Sequence, residues 1–321
     1  MAHEIQQMAY VGATPWHGLG NQLPQNQPLE VWQQQAGMNW QIESSPVHFK
    51  STTKGPLSEI HSFADQKVLY RSDTLEPLSV VSHRYQVVQP AEVLEFYRDL
   101  TEVSGYELET AGVLKGGRKF WALARTGQST ALKGKDEVGG YLLLATSCDG
   151  TLATVATPTT IRVVCNNTLA MSLGSATGAI KVPHSTRFDP QTVKKQLGIA
   201  FSQWDDFIYR MRQLAERKVS PQEAQAYFGQ ILHTEVTSRS RTKPAVNHAF
   251  QKTMALYTGR GRGSDLVSTK GTAWGLLNAV TEYVDHEMRA RSVDYRLDSA
   301  WFGPGAGIKQ RALDAALELV A

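Results

Sequence analysis

An α+β fold is predicted from the sequence: a central antiparallel β-sheet of hairpins flanked by helices, followed by a helical C-terminal region. Three features predict it. From Leu78 to Thr157 the chain is rich in β-branched and aromatic runs with partial alternation. Gly116-Gly117 and Asp149-Gly150 interrupt those runs, and Asp-Gly is a strong hairpin signal. From Gln191 onward apolar residues recur at helical spacing. The chain therefore reads as an N-terminal arm with a short helix and strands (1–77), an α+β core (78–190) and a helical C-terminal region (191–321).

In chain order, the first residues are rich in Gln, Pro, Ser and Thr, yet carry Trp16, Trp32 and Trp40. Such large aromatics favour docking over exposure, so the arm, with a short helix over Leu29 to Ala36, is expected to dock on the main domain or on a neighbouring subunit. Leu78 to Val88 reads as a strand. Gln89 to Leu100 reads as a helix, because Pro90 suits a helix start and Val93, Leu94, Phe96, Tyr97 and Leu100 share a face. Tyr106 to Leu114 and Arg118 to Thr126 read as strands about the Gly-Gly turn, and Gly139 to Thr157 as a hairpin about Asp149-Gly150. In TPTTIRVVCNNTLAMSLG, Thr157 to Gly174, the threonines beside Pro158 suit a helix cap, so a helix is expected to bury Ile161, Val164, Cys165, Leu169 and Leu173 and to turn Arg162 and Asn166 the other way. Further helices are expected over Gln191 to Glu216, Ser220 to Leu232, Thr269 to Met288 and Gly307 to Val320.

The 321 residues are 41% apolar and 20% charged. No apolar run approaches the roughly 20 residues of a membrane span, and MAHEIQQMAY lacks the pattern of a secretory signal. A cytoplasmic location follows as an expectation, and two cysteines, Cys148 and Cys165, fit a reducing compartment. No CxxC pair or Cys/His spacing suggests zinc. The net charge of +3 is mild, but cations gather in two blocks free of acids: Lys115, Arg118, Lys119, Arg125, Lys133 and Lys135, then Arg239, Arg241, Lys243, Lys252, Arg260 and Arg262. Solvated loops are the plain alternative for each block.

Sites of covalent chemistry are weakly signalled. Cys165 with His184 or His83 lacks a nucleophile motif, and a lone cysteine on an apolar run is usually packing. Glu282 and His286, four residues apart beside Asp285, have the spacing of a metal pair without HExxH. The glycines and arginines of GRGRGSD, Gly259 to Asp265, lack the phosphate-loop pattern but suit a flexible cationic loop approaching a phosphate backbone. The first basic block is the stronger constellation. On a strand, Arg118 and Phe120 share one face, and Lys119 and Trp121 the other. Cation beside ring is the combination that single-strand binders use.

PWHGLG at Pro15 to Gly20, TTIRVVCNNTL at Thr159 to Leu169, WGLLNAVTEYVDH at Trp274 to His286 and SAWFGPGAGIKQRAL at Ser299 to Leu313 resemble the phage/plasmid-like protein family, a bacterial mobile-element domain of unknown function. The resemblance implies a role in mobile-DNA biology and no catalytic residue. The order of helix, hairpin-linked strands and helix also resembles the core of Red-beta and RecT-type single-strand annealing proteins. That resemblance implies an ATP-independent, non-enzymatic protein without cofactors, which binds single-stranded DNA and anneals strands in recombination as a homo-oligomeric ring or filament. Lys115, Arg118, Lys119, Lys133 and Lys135 would line its groove, Arg162 would stand at the helix start, and Arg260 and Arg262 would add phosphate contacts. The alternatives are a metal-dependent enzyme or cofactor binder using Glu282, Asp285 and His286, and a protein that binds a host protein.

Overall fold

A computed structural model describes residues 5–12, 20–51, 59–162, 167–170, 172–173, 176–177, 179–201, 204–233 and 243–321. The fold is α+β. The first part of the chain gives β1 (Ile5–Val11), β2 (Asn21–Leu23), α1 (Leu29–Gln35), β3 (Ile42–Lys50), β4 (Ile60–Arg71), β5 (Pro77–Ser82) and α2 (Pro90–Ser104). The β-rich middle follows with β6 (Glu107–Leu114), β7 (Lys119–Leu132), β8 (Asp136–Ser147), β9 (Thr154–Arg162), β10 (Asn167–Ala170), β11 (Ser172–Leu173), β12 (Ala176–Thr177) and β13 (Ile180–Val182). The helical end comprises α3 (Pro190–Phe201), α4 (Trp204–Glu216), α5 (Pro221–His233), α6 (Lys243–Ala255), α7 (Ala273–Glu282), α8 (Val293–Phe302) and α9 (Pro304–Glu318).

One sheet has the order β10-β9-β8-β7-β6-β1-β2, with β13 also pairing β9. A second has the order β3-β4-β5, and β11 pairs with β12. The chain divides into two compact units: 1–126, 142–156 and 180–195 form one, and 127–141, 157–179 and 196–321 the other.

In the first unit the N-terminal segment joins the main sheet, as β1 lies antiparallel to β6 and parallel to β2. Trp32 and Trp40 are buried. Trp40 donates to the Gly37 carbonyl at 2.8 Å, packs on Phe120 and lies under the Arg71 guanidinium, so these tryptophans dock within their own unit; Trp16 lies outside the described residues. Helix α2 starts at Pro90 and continues past the expected end to Ser104, where Gly105 takes a left-handed conformation with φ of 66°. Its apolar face is buried, and the Tyr97 hydroxyl lies 2.9 Å from the carbonyl oxygens of both Ala122 and Leu142.

Thr157 to Arg162 is strand, not the expected helix. The β-branched residues of β9 are stiff at χ1 and favour extended backbone. Pro158 lies in β9 between Thr154 to Ala156, which pair with β13, and Thr159 to Arg162, which pair with β10. Cys165 and Asn166 lie outside the described residues. The stretch from Gln191 to Glu216, expected as one helix, is helical over α3 and α4, and 202–203 between them lie outside the described residues. Helices α6 and α8 carry shorter apolar stripes, and the sequence reading did not identify them.

In the second unit a large core joins Phe207, Met211 and Leu214 of α4, Tyr227 and Phe228 of α5, Trp274 and Leu277 of α7, and Leu313 of α9. Helix α5 begins as expected: Glu223 accepts the Ser220 amide, and Ser220 Oγ accepts the Glu223 amide. Helix α7 begins at Ala273, capped by Thr272, and widens into a π-helical turn over Tyr283–Glu287.

Candidate nucleic-acid interface

Strands β7 and β8 meet in a turn at Lys133-Gly134, whose φ values of 47° and 83° are the left-handed pair of a two-residue hairpin turn. Lys135 is exposed, and Lys133 pairs with Glu216 of α4 at 2.8 Å. The next residue, Asp136, is 1% exposed. Its Oδ2 accepts from Ser268 Oγ at 2.7 Å and from Trp274 Nε1 at 2.9 Å. A buried carboxylate is stabilised by such donors, and here they tie the turn to a segment that carries Arg262 of the second basic block.

That segment, 261–272, is a run of hydrogen-bonded turns. Glu282, 6% exposed, accepts the Arg262 amide at both carboxylate oxygens, 3.1 and 3.0 Å. Within the loop, Thr269 Oγ1 donates to the Gly263 carbonyl and Thr272 Oγ1 to the Ser268 carbonyl, both at 2.6 Å. At its far end, Val219 and Ala273 donate to the carbonyls of Gly271 and Arg217 at 3.0 and 2.9 Å, and Lys218 bridges Thr272. A Cβ on Gly275 would stand 2.0 Å from the Thr269 oxygen, so a glycine is required where the loop crosses α7. Two buried carboxylates, Asp136 and Glu282, thus fix the loop. Around it the side chains of Lys135, Lys218, Arg260, Arg262 and Lys270 are exposed.

The second unit therefore brings Lys133 and Lys135 to the loop of Arg260 and Arg262, although more than a hundred residues separate them in sequence. Lys218, Lys270 and Arg212, which sequence reasoning missed, join them. Arg212 Nη2 donates to Thr130 Oγ1 of β7 at 3.1 Å. Lys218 lies two residues past the end of α4 and Lys270 stands alone in sequence, so only the fold groups them. Arg162 is the last residue of β9 and pairs with Asn167 of β10.

The remaining basic candidates belong to the first unit. Lys115, with φ of 54°, opens the 3-10 turn Lys115–Gly117, and Arg118 is exposed. Lys119 is 4% exposed, and Phe120 and Trp121 are fully buried. The Trp121 ring lies where a Cβ on Gly112 would fall, 2.2 Å away, so these rings are core residues rather than stacking platforms. Burial pushes the Asp149 carboxyl up, but hydrogen bonds from Thr151 and Ser147 and the Lys119 charge hold it below its usual value. Lys119 is thus no surface cation.

The residues that invited enzyme readings have structural partners. Asp285 forms a buried ion pair with Lys309 at 2.8 Å, and Glu282 holds the Arg262 amide. Among the described residues no three His, Cys, Asp or Glu side chains converge as metal ligands. Both ring nitrogens of His184 lie against carbonyl oxygens, of Gln86 at 3.0 Å and Leu152 at 2.9 Å, and its ring stacks on Tyr85. Cys148 is buried, and burial pushes its thiol up to about 12.

A family model described as "Domain of unknown function (DUF932)" matches residues 77–301, well over half of the chain. No curated protein and no solved structure matches it.

Proposed function

The chain belongs to the DUF932 family, whose description names no chemistry, and we propose that it binds single-stranded DNA through the cationic surface of its second unit and promotes strand annealing without a nucleotide cofactor. The observation that carries the proposal is the Asp136 clamp on Ser268 and Trp274, which ties the Lys133-Lys135 turn of the first basic block to the 261–272 loop with Arg262 of the second. Lys135, Lys218, Arg260, Arg262 and Lys270 neutralise phosphates, and arginine adds paired contacts to phosphate oxygens. A strand held by its backbone keeps base edges open to a complementary strand, so annealing needs no covalent step. Assembly as a homo-oligomer and a role in phage or plasmid recombination complete the proposal; they rest on the resemblance in motifs and element order.

Salt titration tests it. Five phosphate contacts on a single strand give a log–log slope of about −3.5, a loss of about 100-fold between 50 and 200 mM salt. Fluorescence anisotropy with a short oligothymidylate measures the slope, and a flat response sinks the proposal. Mixing complementary labelled strands reads annealing, and retention of a host polypeptide in place of DNA on purification favours the protein-binding alternative.

A further inference from the structure

We infer that Tyr209 is the platform on which this interface stacks one unpaired nucleobase, which makes single strands its preferred ligand; the inference rests on the proposed nucleic-acid interface. Helix α4 buries Trp204, Phe207, Ile208, Met211 and Leu214, while Tyr209 is 61% exposed. A single exposed tyrosine needs no explanation in general. Its position gives this one meaning. Tyr209, Arg212, Gln213 and Glu216 follow one another at positions i, i+3, i+4 and i+7, along one stripe of the helix. That stripe lies against the end of β7, through Arg212 to Thr130 at 3.1 Å and Glu216 to Lys133 at 2.8 Å.

The ring is oriented as well as exposed, because Gln213 Nε2 donates to the Tyr209 hydroxyl at 3.3 Å. Seven residues of helix separate Tyr209 from Glu216, about 10 Å at 1.5 Å per residue. A strand whose phosphates meet Arg212 and Lys135 therefore passes the ring within that distance and brings a base over it. Asp205 and Asp206 lie one turn before Tyr209 and are exposed, so they oppose phosphate there and make the ring the end of the path. Phosphate contacts serve duplex and single strand alike, whereas only an unpaired base presents a free face to a ring.

The test compares wild type with Tyr209→Ala, Tyr209→Phe and Lys135→Ala. Anisotropy titrations use oligothymidylate, oligouridylate and a DNA duplex of equal length. Removing one base stack, worth about 1–3 kcal/mol, weakens single-strand binding about 5- to 150-fold in Tyr209→Ala. The expected signature has three further parts: Tyr209→Phe, which keeps the ring but loses the Gln213 contact, binds between wild type and Tyr209→Ala, duplex affinity is unchanged in all Tyr209 variants, and the Tyr209→Ala salt slope stays at the wild-type value. Lys135→Ala lowers that slope instead. Equal loss with thymidylate and uridylate assigns the ring to the base, and loss with one alone assigns it to that class of strand. Wild-type affinity in Tyr209→Ala, or an equal loss on duplex, overturns the inference and leaves the phosphate interface standing. Failure of the wild type to bind any of the three ligands overturns both.

Discussion

Asp136→Ala separates a geometric account of the interface from a purely Coulombic one. In the folded protein this carboxylate accepts from Ser268 and Trp274 while 1% exposed. Removing it strands a hydroxyl and an indole N–H, each costing about 1–3 kcal/mol, so a loss of about 2–6 kcal/mol of stability is expected. The effect on nucleic-acid binding has opposite signs in the two accounts. If net charge alone mattered, deleting one negative charge about 10 Å from a phosphate would strengthen binding by about 0.4–1.7 kcal/mol at effective dielectric constants of 80 to 20. If Asp136 holds the Lys133-Lys135 turn against the 261–272 loop, freeing the turn removes about one phosphate contact, that of Lys135, and the salt slope falls by about 0.7. Thermal unfolding by circular dichroism gives the stability change, and anisotropy well below the variant's melting temperature gives affinity and slope. Tighter binding with an unchanged slope would refute the role assigned to the clamp.

Two further outcomes follow from carboxylates elsewhere in the second unit. Glu223 is held at about 2, below its ordinary 4.5, by hydrogen bonds from the Ser220 amide, the Arg217 side chain and the Ser220 hydroxyl. Its contribution to stability is complete above 4.5 and is lost as pH falls toward 2, so Glu223→Gln should flatten the pH dependence of denaturant unfolding within that window and change little of it elsewhere. Lys309→Ala leaves Asp285 buried without its ammonium partner and should cost about 3–5 kcal/mol, whereas Asp285→Leu combined with Lys309→Met should recover most of it. Denaturant midpoints of the two variants, measured against wild type, decide between a structural pair and one whose loss the protein tolerates.

Much of the architecture was legible because it rests on local chemistry. Pro90 and Pro221 mark helix starts, Asp149-Gly150 lies in the connection between β8 and β9, and the apolar positions of α4 share a face, all visible in the local sequence. The stretch after Thr157 was misread because proline and threonine serve a helix start and a strand equally well. The choice fell to pairing: β9 has β10 along one part of its length and β13 along another, and neither partner is visible in the stretch itself. Lys119, Phe120 and Trp121 show the matching limit for the site. Alternation gave their faces correctly, but a strand buried on both sides has no solvent face for a cation or a stacking ring.

The interface was half legible for a related reason. Two basic blocks stood out in the sequence, and the structure joins part of each through residues that carry no positive charge. Asp136, adjoining the first block, and Glu282, which follows the second, sequester their carboxylates in the interior and spend them on Ser268, Trp274 and the Arg262 amide. Had these acids been at the surface, they would have cancelled part of the field that the lysines and arginines set up. Buried and hydrogen-bonded, they position the cations instead. Burial thus removes two acids from the field around these cations, while Glu137, Glu216 and Asp265 stay exposed beside them, so the proposed interface rests on cations grouped among exposed acids.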